Sequence, residues 1–192
     1  MFHGGVKIIH LLQLPLLEQV QAGLGQRALE GADSGILIEE AVALIAATLQ
    51  ADFCTILEFL PAENNLLIRA GVGWREEIVG TRLSASPSKS QAGFTLLSND
   101  PILLENLETE TRFAGPPVFH RHGVVSGIST IIQGRGGPFG VVSAHTNRLR
   151  HFTTHDVHFL QSVANVLATT IQRRAKEMHF QSLIENALDA IA

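Results

Sequence analysis

Residues 124–168 read VVSGISTIIQGRGGPFGVVSAHTNRLRHFTTHDVHFLQSVANVLA, and two kinds of periodicity follow one another in this stretch. Two apolar runs rich in β-branched residues, 124–133 and 139–146, flank the four residues Gly134-Arg135-Gly136-Gly137. Glycines can take the positive φ of a tight antiparallel connection. The pattern predicts a β-hairpin.

A helix is predicted after the hairpin. Beyond Asn147, apolar residues recur at spacings of three and four, which places them on one side of a helix. They are Phe159, Leu160, Val163, Val166, Leu167, Thr170 and Ile171. We expect the helix to begin at Thr153 or Thr154, because a hydroxyl there can accept a hydrogen bond from an unpaired amide. Asp156 then lies at the positive end of the helix.

The upstream sequence predicts further hairpins and helices. Strands are predicted at 52–60, 66–72 and 101–104, the last at a sheet edge because it begins with proline. Helices are predicted at 15–29, from Asp33 or Ser34 to about Leu49, at 90–97 and, as one turn, at 119–122, whereas 73–89 is expected to be mostly loop. The second helix carries the stripe Ile38, Ala41, Val42, Ile45 and Leu49. This order predicts an α+β fold around a single antiparallel sheet of five or six strands.

Composition limits the classes of partner. The 192 residues suit one domain with flanking helices, and a content of 45% hydrophobic against 17% charged residues predicts a buried partner interface. A net charge of -4 without a basic stripe argues against nucleic-acid binding. Residues 6–17 are interrupted by polar residues and are too short to span a membrane. The lone Cys54 fits a reducing cytosol, so we expect a cytoplasmic protein.

The sequence of the hairpin and helix is similar to that of a known family. The run FGVVSAH, followed by R-x-R-x-F-T-x-x-D and a long helix at Arg148–Asp156 and beyond, resembles the C-terminal half of GAF domains in bacterial sensor kinases and cyclic-di-GMP enzymes. The resemblance extends upstream to about Ile36. It implies that the terminal helices share one face of the sheet and form a homodimer bundle, and that residues 73–122 cover a ligand pocket on the other face.

The domain boundaries follow from the same resemblance. We expect an N-terminal helical segment at 1–33, a GAF domain at 34–172 and a signalling helix at 173–192. The closing residues FQSLIENALDAIA resemble the opening of a PAS domain, which often follows GAF in sensor proteins. A terminal helix without a further domain is the alternative.

His145 is the first pocket candidate. It ends GVVSAH, and a similar strand histidine lies in the chromophore pocket of bilin-binding GAF domains. The segment 119–122 holds no cysteine where the family anchors a bilin, so a covalent bilin is not expected; a histidine bonded to a neighbouring loop is the alternative. The ligand-pocket candidates are His145, Ser143, Ser129, Ser126, His122, Phe119, Phe113 and Phe94.

Two structural roles are also predicted. Residues 147–156 partly match the Asn-Lys, Phe and Asp-Glu pattern of cyclic-nucleotide-binding GAF domains, which implies a salt bridge from Arg148, or alternatively Arg150, to Asp156. The long helix is amphipathic beyond what one domain buries, so it is predicted to pair with a second copy. The predicted dimer residues are Leu160, Val163, Leu167 and Ile171.

The sequence patterns for metal, haem and catalytic sites are less complete than the pattern for a ligand pocket. His151, His155 and His158 are close in sequence, but no Cys, Asp or Glu completes a ligand set, so we expect solvated histidines rather than a metal. His120 or His122 is an alternative candidate, as an axial haem ligand. One cysteine cannot perform the cycle of free methionine sulfoxide reductase, an enzyme of this family, and no hydrolase motif is present. We therefore expect no catalysis by this chain.

The sequence predicts a cytoplasmic sensory domain, the input module of a two-component histidine kinase, which binds an unidentified small molecule and relays its state through a dimeric helix. One alternative is a structural dimerisation module whose pocket is filled by its own side chains. Another is a cyclic-nucleotide-binding domain upstream of a diguanylate cyclase or phosphodiesterase.

Overall fold

The computed structural model describes residues 22–27, 34–75 and 77–189. Residues 22–27 are helical, and the rest of the predicted helix at 15–29 lies outside the described residues. The further helices are α1 (Ser34–Leu49), α2 (Gln91–Thr95), α3 (Pro117–His122) and α4 (Thr154–Asp189). The strands are β1 (Phe53–Leu60), β2 (Asn65–Val72), β3 (Arg82–Ser84), β4 (Ile102–Leu104), β5 (Ser126–Gln133) and β6 (Pro138–Thr146).

One antiparallel sheet of six strands organises the domain, in the order β3-β2-β1-β6-β5-β4. This confirms the predicted α+β class. The predicted hairpin forms β5 and β6, and Gly136 in their connection has φ of +94°, a conformation that favours glycine. The short strand β3 falls in the segment that the sequence predicts as loop; it pairs with β2 from Asn65 to Leu67.

The helices α1 and α4 pack on one face of the sheet, which we call the helix face. Their apolar stripes meet even-numbered strand residues such as Ile56, Ile128 and Val142 in one continuous core. Leu160, Val163 and Leu167 are fully covered there. Their prediction as dimer residues is wrong, because the sheet and α1 of their own chain already bury them. Ile171, also predicted at the dimer, is partly buried against the same core.

The first turn of α4 is capped as the sequence predicts. The amide of Thr153 donates to Asp156 Oδ2 at 2.7 Å, and the amide of Asp156 donates to Thr153 Oγ1 at 3.3 Å. This reciprocal pair satisfies two groups that a helix end leaves unpaired. The helix starts at Thr154, within the predicted choice.

Two arginines after β6 bond to the end of α1 and to the residues that follow it. Arg148 bonds to Asp52 at 2.9 Å, so the predicted Arg148–Asp156 bridge is not formed; Asp156 instead pairs with the alternative, Arg150, at 3.4 Å. Arg150 also donates to the main-chain oxygen of Leu49, the last residue of α1. Both guanidinium groups also donate to the main-chain oxygen of Gln50, but only that of Arg150 reaches Asp156 at the helix entrance.

Among the described residues, no helix combines the length and the apolar composition that crossing a membrane requires.

Candidate functional site

The other face of the sheet lies under α2, α3 and the loops that connect them, and we call it the cover face. Successive strand residues point to opposite faces, so the odd-numbered residues of β1, β5 and β6 point toward the cover. Ser129 lies beside Ser143, which lies beside Thr55 on the next strand. Apolar clusters flank this row, one around Leu57 and Val141 and one around Phe113 and Phe119.

A buried row of polar side chains separates the two clusters. We call it the polar seam; it consists of Thr55, Gln91, Thr95, Ser129, Ser143 and His145, all of which are buried. Its hydroxyls pair across elements, with Thr55 Oγ1 2.8 Å from Ser143 Oγ and Thr95 Oγ1 2.7 Å from Ser129 Oγ. Thr95 also donates to the main-chain oxygen of Gln91 at 2.8 Å, so the hydrogen between Thr95 and Ser129 comes from Ser129.

His145 lies on the cover face near the end of β6 and is 1% exposed. Its Nε2 lies 3.1 Å from Gln91 Oε1, and Gln91 uses its amide nitrogen to donate to the oxygen of Ile102 at 2.9 Å. Because the amide nitrogen of Gln91 is used in this way, its oxygen faces His145 and accepts a hydrogen bond from Nε2. Its Nδ1 is buried without a hydrogen-bond partner among the described residues. Burial lowers the pKa of His145 to about 3, so the ring is neutral.

Gly127 makes the position of His145 possible. The two residues are paired across β5 and β6. A Cβ at Gly127 would lie 2.3 Å from Cδ2 of His145, closer than any side chain permits. The absence of a side chain at residue 127 therefore gives the imidazole its place on the sheet.

Aromatic rings cover the imidazole. Phe119 of α3 packs edge-on against His145 at 4.4 Å, and Trp74 stacks on Phe53 at 4.6 Å. His122 meets the Trp74 ring edge-on at 5.1 Å. Its Nε2 accepts from the amide of Arg75 at 3.1 Å, and its Nδ1 donates to the oxygen of Val118 at 2.9 Å. These contacts hold α3 and the loop after β2 over the seam.

The pocket candidates do not all share this face. Five of them lie in the seam or its aromatic cover, namely His145, Ser143, Ser129, His122 and Phe119. Ser126 differs in parity from Ser129 and lies toward the other face, where its hydroxyl donates to the oxygen of Glu105 at 2.5 Å and accepts from the amide of Arg150 at 3.0 Å. Its assignment to the pocket is wrong, because the pleat separates the two serines.

The remaining two candidates form a pair at the margin of the cover. The rings of Phe94 and Phe113 are 5.6 Å apart, and the guanidinium of Arg112 lies over both. Phe113 is buried with Phe119 in the same cluster, and Phe94 packs against that cluster. Both belong to the cover rather than to the polar seam.

Sequence reasoning missed Gln91, Thr95 and Trp74. Gln91 follows Ser90, whose side chain caps α2, so the predicted helix start was a signal for its position. Trp74 donates from Nε1 to the oxygen of Cys54 at 3.2 Å, a contact between residues with no shared periodicity. No group of three His, Cys, Asp or Glu side chains suited to a metal ion comes together within 22–27, 34–75 and 77–189.

Comparison with known proteins gives the family. A family model described as GAF domain matches residues 35–171. The chain belongs to the GAF family. GAF domains are a regulatory and sensory fold, and the neighbours of this one include GAF domains of phytochromes and a methyl-accepting chemotaxis protein. No curated protein matches the sequence.

Solved GAF structures share the fold at low identity. The GAF domain of an Acinetobacter phosphoenolpyruvate-protein phosphotransferase is 18% identical with a TM-score of 0.71, over 85% of this chain and 98% of that one. Free methionine-R-sulfoxide reductase from Neisseria meningitidis, solved with its substrate, is 14% identical with a TM-score of 0.70, over 84% and 92%. The phycoerythrobilin-bound GAF domain of a cyanobacterial phytochrome is 18% identical with a TM-score of 0.70, over 85% and 98%.

Proposed function

We propose that this GAF domain senses a small, flat, uncharged molecule that binds between the polar seam and its aromatic cover. The observation that carries the proposal is the buried Nδ1 of His145. An acceptor buried without a partner costs about 1–3 kcal/mol. A domain built only for packing gains nothing from that cost, whereas a ligand with one hydrogen-bond donor would remove it.

The rest of the seam supports recognition rather than packing. Six polar side chains divide a face that would otherwise be one apolar core, and four of them pair through short contacts between their hydroxyls. Ligand-binding sites in proteins generally combine an apolar lining with a few placed polar groups. The seam has no charged side chain, so a cyclic nucleotide would bring its phosphate to a place without a cation; this favours an uncharged ligand.

Two neighbours support the proposal that a domain of this fold holds a small molecule. Two of the similar structures are described as bound to phycoerythrobilin and to a substrate of free methionine-R-sulfoxide reductase. For this chain we propose a non-covalent ligand of another kind, because 119–122 contains no thiol and the single Cys54 is buried on the helix face, where burial raises the pKa of its thiol. The chain is accordingly proposed as a sensor without catalytic activity of its own.

The C-terminal helix is the proposed output. Beyond the domain, α4 exposes Met178, Phe180, Leu183 and Ile184, which a second copy would cover. We propose that occupancy of the seam shifts the packing of two such helices in a cytoplasmic sensor protein, with residues 173–192 leading into a PAS domain and a histidine kinase. A dimerisation module without ligand is the second candidate, and the same exposed residues favour it.

Two serines on one strand provide the test. The purified full chain is analysed by native mass spectrometry, with a denatured control, and then by thermal shift against a metabolite set that includes cyclic nucleotides. We expect extra non-covalent mass or a ligand that raises Tm, and weaker binding in Ser129→Ala. Ser126→Ala, on the other face, should bind as the wild type does, even though it is less stable.

Two results would decide against sensing by the seam. If the chain is a clean dimer and no compound shifts its Tm, the structural dimerisation module becomes the better description. If a compound binds but both serine variants bind it equally, the ligand site lies elsewhere.

A further inference from the structure

A second polar site lies at the edge of the sheet, away from the seam. It is a groove of about 410 Å³ between the second half of β5, residues 158–165 of α4 and the loop before β4. Its lining includes four carboxamides and an imidazole, from Asn99, Gln133, Gln161, Asn165 and His158. We call it the amide groove. Thr130, which shares the parity of the helix-face residues, also lines it, so the groove opens on the α4 side of the sheet.

The groove exposes an open strand edge. β4 pairs with β5 only from Gly127 to Ser129, whereas β5 continues to Gln133. Pro101, directly before β4, has no N–H to continue the pairing. β6 occupies the other side of β5. In the described part of the chain, residues 130–133 therefore have no strand beside them on the β4 side, and such an edge can pair with an added strand.

The side chains over this edge suit a peptide main chain. A carboxamide carries donors and an acceptor, which complement the C=O and N–H of a peptide group. The side chains of Asn99, Gln161 and Asn165 bond to no other described group. One turn of α4 already makes such a contact: Gln172 Nε2 donates to the main-chain oxygen of Gln133 at 3.3 Å. The lining has no Asp, Glu, Lys or Arg, so a charged segment would find no ion pair there.

We propose that the amide groove binds an extended, uncharged segment of a partner protein, which adds to the sheet beside residues 130–133. The four-residue edge is about 13 Å long at ~3.3 Å per residue, enough for one short strand. Main-chain hydrogen bonds would provide affinity, and alternate side chains of the segment would meet the carboxamides of α4. This partner site is independent of the ligand proposed for the seam.

The first test uses a matched pair of arginine substitutions on α4. A phage-displayed library of random dodecapeptides is selected on the full chain, and enriched peptides are measured by fluorescence anisotropy. Asn165→Arg should weaken binding at least about tenfold, because a long charged side chain enters the groove. Thr169→Arg, also exposed on α4 but outside the groove, should leave the affinity unchanged.

The second test asks whether the main chain is recognised. Each amide of the tightest peptide is N-methylated in turn. Methylation at every second amide should abolish binding, because only alternate amides point at β5. The proposal is overturned if no peptide is enriched, if both arginine variants bind equally, or if methylation has no alternating effect. It is also overturned if Asn165→Arg lowers the mass of the unliganded chain in light scattering, which would assign the groove to a second copy.

Discussion

The two faces of the sheet differ in how continuous their apolar surfaces are. On the helix face, α1, α4 and the even-numbered strand residues form one apolar core. On the cover face, the odd-numbered residues of the same strands include Thr55, Ser129, Ser143 and His145, which divide two smaller clusters. One set of strands therefore supplies a continuous apolar core on one side and a buried row of polar groups on the other.

This division allows residues of the cover face to change without disturbing the core on the helix face. Alternate residues of a strand face different neighbours, so a polar substitution on the cover face leaves the helix face unchanged. The cost of polar groups is limited where they pair with each other, as the hydroxyls of the seam do. The comparison predicts large stability effects on the helix face and smaller, coupled effects on the cover face.

The largest effect is expected from truncation on the helix face. Leu160→Ala removes a fully buried side chain between α1 and the sheet and should lower the free energy of unfolding by roughly 2–5 kcal/mol. Leu149, which is 62% exposed, is the matched control, and its replacement by Ala should cost under about 0.5 kcal/mol. Urea unfolding measures both. Equal losses would mean that α4 does not pack on this sheet as described.

A pH effect is expected next, from the cover face. An unfolded histidine titrates near 6.5, whereas burial lowers the pKa of His145 in the folded chain to about 3. Between these two pH values His145 takes up a proton only in the unfolded chain. The free energy of unfolding therefore falls as the pH falls from about 6.5 to about 3. The loss should reach roughly 2 kcal/mol at pH 5.

Two histidine variants separate this effect from general acid sensitivity. Urea unfolding at pH 7 and pH 5 should show a smaller pH-dependent loss in His145→Gln than in the wild type. His158→Gln, an exposed histidine of α4, should keep the wild-type difference. If all three chains lose the same stability, His145 is not sequestered in solution.

A smaller, coupled effect is expected within the seam. Thr95→Val leaves the hydroxyl hydrogen of Ser129 without its acceptor and should cost about 1–3 kcal/mol. Ser129→Ala removes the donor instead and should cost less, because Thr95 keeps its bond to the oxygen of Gln91. The double variant should lose less than the sum of the two. Additive losses in urea unfolding would show that the pair is not bonded.

The sequence predicts the parts of this structure that depend on local spacing. The hairpin, the capped start of α4 and the stripe of α1 follow from periods of two and 3.6 and from one capping pair. Contacts between distant segments carry no such signal: Arg148 meets Asp52, and Trp74 packs over Phe53 from a segment without periodicity. The grouping of Ser126 with Ser129 is a different error, since strand alternation alone separates them.

The two arginines at the end of β6 extend the comparison to the loop that joins the faces. Arg150 is 22% exposed at its side chain and bonds to both α1 and Asp156, whereas Arg148 is 52% exposed. Partly buried bonds to a charged group are worth about 1.5–3 kcal/mol, and exposed ion pairs about 0–1. Arg150→Gln should therefore destabilise the chain by about 1–2 kcal/mol and Arg148→Gln by about 0.5 or less, measured by urea unfolding at low and high salt. The reverse order would show that Asp52, rather than Asp156, anchors this loop.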